Sequence, residues 1–130
     1  MAPLALVLAS CQIGLVLGIA VLAAPTVFAV LPAEAAGPYL RRLFPRYFAL
    51  AAALGLVAGA VALAGGRAEA AVLLALDAAC FAAALALVPR LDAARDRGDS
   101  AFRRLHAGTV VFNALGALAA LVAVAVLAAS

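Results

Sequence analysis

Four long apolar runs, separated by three polar breaks, organise the chain. The first extends from Leu4 to Leu31 without a charged residue. The second covers Tyr47 to Ala64, the third Ala70 to Val88 with one charge at Asp77, and the fourth Leu105 to Ala129. A helix that crosses a bilayer needs about 17 to 25 predominantly apolar residues. Each run therefore predicts one span, at approximately 4–31, 47–64, 70–88 and 105–129. Gly65-Gly66 breaks the pattern between the second and third runs, and only Arg67 and Glu69 follow before it resumes. So short a turn sets the third helix antiparallel beside the second. The predicted fold class is all-α: a four-helix transmembrane bundle, antiparallel and up-down-up-down, occupying 1–130 as a single membrane domain.

The breaks carry their own signals. Pro25 is expected to kink the first span or end its regular part. Pro32 and Pro38 then bracket a short connection containing Glu34 and Gly37. From Tyr39 to Arg46 three arginines alternate with Leu40, Leu43 and Phe44, which predicts an interfacial turn or helix whose arginines snorkel to headgroups. Pro89 is expected to close or kink the third span. Between Arg90 and Arg104 stand five arginines and three aspartates, and Gly98-Asp99-Ser100 reads as a break followed by a helix N-cap.

Composition strengthens the membrane reading. Of 130 residues, 70% are hydrophobic and 12% charged, and the mean hydropathy is +1.25. A soluble domain is nearer half apolar and a quarter charged, so the lipid bilayer is the expected partner. The net charge of +3 comes from arginine alone. Those arginines lie between apolar runs, which makes them topology determinants rather than a nucleic-acid surface. The first and third connections hold eight of the nine. The positive-inside rule makes both cytoplasmic, with the two termini on the non-cytoplasmic side of a bacterial inner membrane. Cys11 and Cys80 fall within apolar runs and read as small packing residues. Leu8-Ala9-Ser10-Cys11 resembles a lipoprotein processing box, but no positive charge precedes it and the leading apolar stretch is short. A cleaved signal is not expected.

Ionisable groups inside spans are functional candidates by default. Asp77 lies about nine residues, roughly 13 Å, into its span. Gln12 and Asn113 fall at similar counted depths, so an intramembrane polar cluster of Gln12, Asp77 and Asn113 is expected. Without a cation beside it, the acid is expected to carry its proton and donate to an amide oxygen. The competing reading is that these residues only hold helices together, at about 0.6 kcal/mol per interhelical hydrogen bond. At the arginine-rich end, Arg46, Arg95, Asp96, His106 and Thr109 are expected to form a cytoplasmic polar clasp, with His106 bonded to a carboxylate such as Asp96. A single histidine makes no zinc site, and the metal-binding status is left open. No cofactor is predicted, haem on His106 being a minority alternative. Gly14, Gly18, Gly55 and Gly59 form small-xxx-small patterns that read as helix-contact surfaces. No hydrolase elbow, Walker loop or dinucleotide fingerprint is present, and the loops are too short to build an enzyme site by themselves.

Several short stretches occur in a familiar order. Ala24-Pro25-Thr26-Val27-Phe28, Leu31-Pro32, Gly37 and Leu43-Phe44-Pro45-Arg46-Tyr47-Phe48 are followed by Pro89-Arg90 and Arg95-Asp96. Phe102, Leu105-His106, Thr109 and Asn113 complete the series. Together they resemble the transmembrane protein 205-like family, whose bacterial members largely carry a domain of unknown function. The resemblance implies a four-helix membrane protein. In that pattern the fourth helix carries a hydroxyl, a place Thr109 fills. Eukaryotic relatives are linked to tolerance of metal-containing drugs, which implies by analogy a handling role. The expected function is therefore non-enzymatic handling or transport of a small solute or metal species. The alternatives are a structural or assembly subunit of a larger membrane complex, then a haem- or quinone-binding redox protein. A transporter of this size is expected to work as a homodimer.

Overall fold

The computed structural model describes residues 1–130 and is built only of helices. Helix α1 spans Ala2–Leu17, a π-helical segment Gly18–Ala23, and α2 Ala24–Val30. Helices α3 (Ala33–Ala64), α4 (Ala68–Asp96) and α5 (Ala101–Ala128) complete the chain. With α1, the π segment and α2 forming one continuous rod, four helices are long and apolar enough to cross a membrane. Of 111 backbone hydrogen bonds, 96 lie within helices, which meets the demand of hydrocarbon that backbone groups pair internally. Large apolar side chains such as Leu22, Val30, Leu56, Leu63 and Val72 point outward. Lipid, not a protein core, covers them. The protein is an integral, multi-pass membrane protein.

The rods form a four-cornered bundle. α1 packs against α3 and α5, and α4 packs against the same two helices. α1 and α4 therefore face each other across one diagonal, α3 and α5 across the other. The end near the Gly65-Gly66 turn is filled chiefly by alanines, among them Ala5, Ala9, Ala58, Ala62, Ala70 and Ala123. Small side chains let the backbones approach closely, which supplies dispersion contact where no hydrophobic drive operates. Towards the arginine-rich end the core becomes aromatic, with Tyr47, Phe48 and Phe81 packed against Val16, Ala51 and Ala84.

Both sharp breaks end in Schellman motifs. Arg67 N–H donates to Ala62 O and Gly66 N–H to Leu63 O; Asp99 N–H and Gly98 N–H repeat the pattern with Ala94 O and Arg95 O. Gly66 and Gly98 supply the positive φ that each motif requires, 73° and 65°. The N-cap expected within Gly98-Asp99-Ser100 is present: Ser100 makes no side-chain cap bond, and Asp99 Oδ1 accepts from Ala101 N–H at 2.9 Å. That bond, and then Arg97, hold the Asp99 carboxyl below the usual carboxylate range.

Pro25 ends the regular part of the first span, as expected, but does not end the rod. Ahead of Pro25 the backbone widens into the π segment, where Ala24 N–H reaches back to Ile19 O. Proline donates no N–H, and its ring crowds the carbonyl four residues earlier; a π turn absorbs both defects without ending the rod. Pro32 does turn the chain, with Leu31 extended before it. The connection to Tyr39 expected at Pro32–Pro38 is instead helix: α3 runs through Pro38 and Pro45, and α4 runs through Pro89. Each interior proline costs about 3 kcal/mol in an isolated helix. Here the two proline-bearing extensions brace one another, with Ala36 and Leu40 of α3 and Leu91 and Ala94 of α4 all buried. Tertiary packing overrides local propensity.

Candidate functional site

The sequence-predicted polar cluster divides into two pairs, one across each diagonal. Gln12 on α1 and Asp77 on α4 are both fully buried, with Gln12 Nε2 donating at 3.3 Å to each carboxylate oxygen. Room for the carboxylate comes from Gly55 on α3, where a Cβ would collide with Asp77 Oδ2 and stand 3.2 Å from Ala78 Cβ. Gln12 Oε1 is buried without a hydrogen-bond partner, and no cation pairs with Asp77. The pair can hydrogen-bond in two ways. A carboxylate accepts from the amide NH2, and a carboxylic acid donates to the amide oxygen once the amide turns over.

Asn113 does not join them. Gly116 faces Cys80 and Phe81, so in antiparallel register Asn113 stands about seven residues, roughly 10 Å, nearer the arginine-rich end than Asp77. The apolar runs misplace its depth because α4 stays helical for eight residues past Val88 while α5 starts only four before Leu105, so the two runs do not end at one level. Asn113 instead accepts a 2.6 Å hydrogen bond from Tyr47 Oη across the second diagonal. Tyr47 packs edge-on against Phe81, centroids 5.7 Å apart, placing an aromatic layer between the two polar pairs.

Below that layer the bundle opens. Neither the π segment nor α2 buries a residue, and α2 meets α3 only loosely and α5 hardly at all. The result is a cavity of about 750 Å³ reached by all four spans. Ala20, Ala24 and Phe28, at helical spacing, form the wall given by the first span; Phe48 and Asn113 lie deep within. Its outer rim carries Glu34, Arg41, Asp92, Arg95 and His106.

The rim corrects the expected clasp. Its centre is Arg41, which the sequence reading passed over, with Nε 3.2 Å from Asp92 Oδ1 and Nη2 3.0 Å from the Asp96 carboxylate. Asp92 and Asp96 are four residues apart and so share a helix face; that spacing was the available signal. Arg46 stands apart from the clasp. Five residues from Arg41 is about 140° around a helix, which places Arg46 beside Arg42 and Tyr39 on another face. Arg95 is 3.8 Å from Asp92 and lies over the Phe102 ring at 4.9 Å. His106 stacks on the other end of this series, 5.8 Å from Phe102, and bonds no carboxylate through its ring. The Thr109 hydroxyl donates to His106 O within its own helix at 2.7 Å, so its polarity is used locally. No three His, Cys, Asp or Glu side chains converge as a metal site would require.

Two smaller expectations also change. Gly55 and Gly59 do pack closely, but Gly14 and Gly18 have nothing within 4 Å of an added Cβ. Cys80 is buried and Cys11 exposed on the lipid side.

Fold and site together define a four-span integral membrane bundle with a polar-floored cavity at one end. The chain matches the family described as Domain of unknown function (DUF4149) over residues 7–100 and belongs to that family. The match includes Gln12, Arg41, Tyr47, Asp77, Asp92 and Arg95, and stops before the α5 residues. No curated protein and no solved structure matches the chain.

Proposed function

We propose that this protein handles a small solute at the membrane, admitting it to the cavity between the splayed first span and the other three. The cavity carries the reading: about 750 Å³ lies in the range of about 300–1,000 Å³ typical of small-molecule sites. Its apolar walls and few converging polar groups also match such sites. Gln12 and Asp77 lie beyond its floor and form the deeper polar station. The arginine-rich rim faces the cytoplasm, with both termini on the opposite side of a bacterial inner membrane, as the positive-inside rule supports. The transmembrane protein 205-like resemblance, with its link to tolerance of metal-containing drugs, supports a handling role by analogy. Asp77→Asn tests the mechanism, since asparagine keeps the size and a hydrogen bond to Gln12. Small-molecule profiles of cells carrying wild type should differ from deletion cells, and Asp77→Asn cells should match the deletion while the protein stays folded. Wild-type profiles in the mutant would reduce Asp77 to a packing feature.

A second reading, a structural subunit of a larger membrane complex, is favoured by the open face at Gly14 and Gly18. It predicts a stoichiometric protein partner on gentle extraction and no cavity-dependent small molecule.

A further inference from the structure

We infer that the solute in the cavity is a zwitterionic lipid of the phosphoethanolamine type, taken laterally from the surrounding leaflet; this rests on the solute-handling reading above. Three observations carry it. The cavity has the vertical profile of an amphiphile. Its charged rim residues Glu34, Arg41, Asp92 and Arg95 lie on the proline-bearing extensions just beyond the apolar runs, at headgroup depth, while Phe44, Phe48 and Val88 line it near the start of the hydrocarbon.

The second observation is the way in. α1 seals against α5, but past the π segment the first span no longer does so. The seam between α2 and α5 therefore opens sideways into lipid. The headgroup and upper chains fit a volume of this size, with the tails leaving through the seam.

The third is the charge pattern. Two cations and two anions line the rim: Arg41 and Arg95, Glu34 and Asp92. Arg41 is held by Asp92 and Asp96, whereas Glu34 has no ion-pair partner and Arg95 only the 3.8 Å contact with Asp92. A purely anionic head would meet two carboxylates, and a purely cationic head two guanidiniums. A phosphate towards Arg95 and an ammonium towards Glu34 satisfy both signs. The same juxtaposition discriminates against a lipid whose phosphate is capped by an uncharged alcohol.

The test uses full-length protein in bilayers of equal parts phosphatidylethanolamine and phosphatidylglycerol, ejected into a mass spectrometer with its retained lipid. Wild type should retain phosphatidylethanolamine above its bulk share. Glu34→Gln and Arg95→Gln should each reduce that preference about threefold, as for a partly exposed charge pair. Ala24→Phe, which fills the cavity, should abolish retention of both lipids. Circular dichroism confirms that the variants remain helical. Lipid retained at the bulk ratio and insensitive to Ala24→Phe would overturn the inference. A different small molecule, displaced by Ala24→Phe, would overturn it while leaving the solute-handling reading standing. The absence of any cavity-dependent adduct would overturn both.

Discussion

Asp77 shows how much one side chain asks of its neighbours. A carboxyl in the middle of a bundle with no counter-ion needs a hydrogen-bonding partner and space, and here Gln12 and Gly55 provide them separately. Gly55→Ala should therefore destabilise the protein by about 1–3 kcal/mol through overpacking, measured by unfolding in mixed micelles. Unchanged stability would mean that α3 and α4 are free to part at this level. Tyr47→Phe removes one interhelical hydrogen bond and should cost only about 0.6 kcal/mol in the same assay. At this scale the sequence marked Gln12 and Asp77, since polar atoms in long apolar runs stand out. Tyr47 was hidden because tyrosine at a span's end looks like an interfacial residue, and its bond to Asn113 depends on a register that apolar run lengths do not reveal.

Among the elements, the proline-bearing ones decide the shape. The runs of apolar residues announced four rods, and Gly65-Gly66 and Gly98 announced two of the three corners. Helix through Pro38 was not legible, and at Pro45 and Pro89 helix was only one of two readings, because the outcome depends on α3 and α4 packing against each other beyond the lipid boundary. The π segment before Pro25 has the larger consequence, since beyond it α2 packs only loosely and the cavity lies alongside. Pro25→Ala should restore regular hydrogen bonding and bring α2 towards α5. Spin labels at Phe28 and Val110, in a background with both cysteines replaced, should report a shorter distance than with proline present. An unchanged distance would assign the splay to the Leu31-Pro32 corner instead. Gly66→Ala places a Cβ at positive φ and should cost about 1–2 kcal/mol, again read by unfolding.

For the molecule as a whole, the two ends differ in kind. An alanine-packed end closes the bundle, and an aromatic layer with a charged rim opens it. If the arginine-rich end faces the cytoplasm, a reporter active only outside the cytoplasm should work when fused after Ser130 and fail when inserted at Gly98. The opposite pattern would invert the direction of every step proposed here. The cavity itself could not be read from hydropathy, because its walls are the same apolar residues that face lipid elsewhere. The central claim is that this cavity is occupied, and the most direct measurement is native mass spectrometry of the protein released gently from its own membrane. The account predicts chain multiples carrying a reproducible small adduct that Ala24→Phe removes. Bare chain masses, or a constant protein partner with no small adduct, would contradict it.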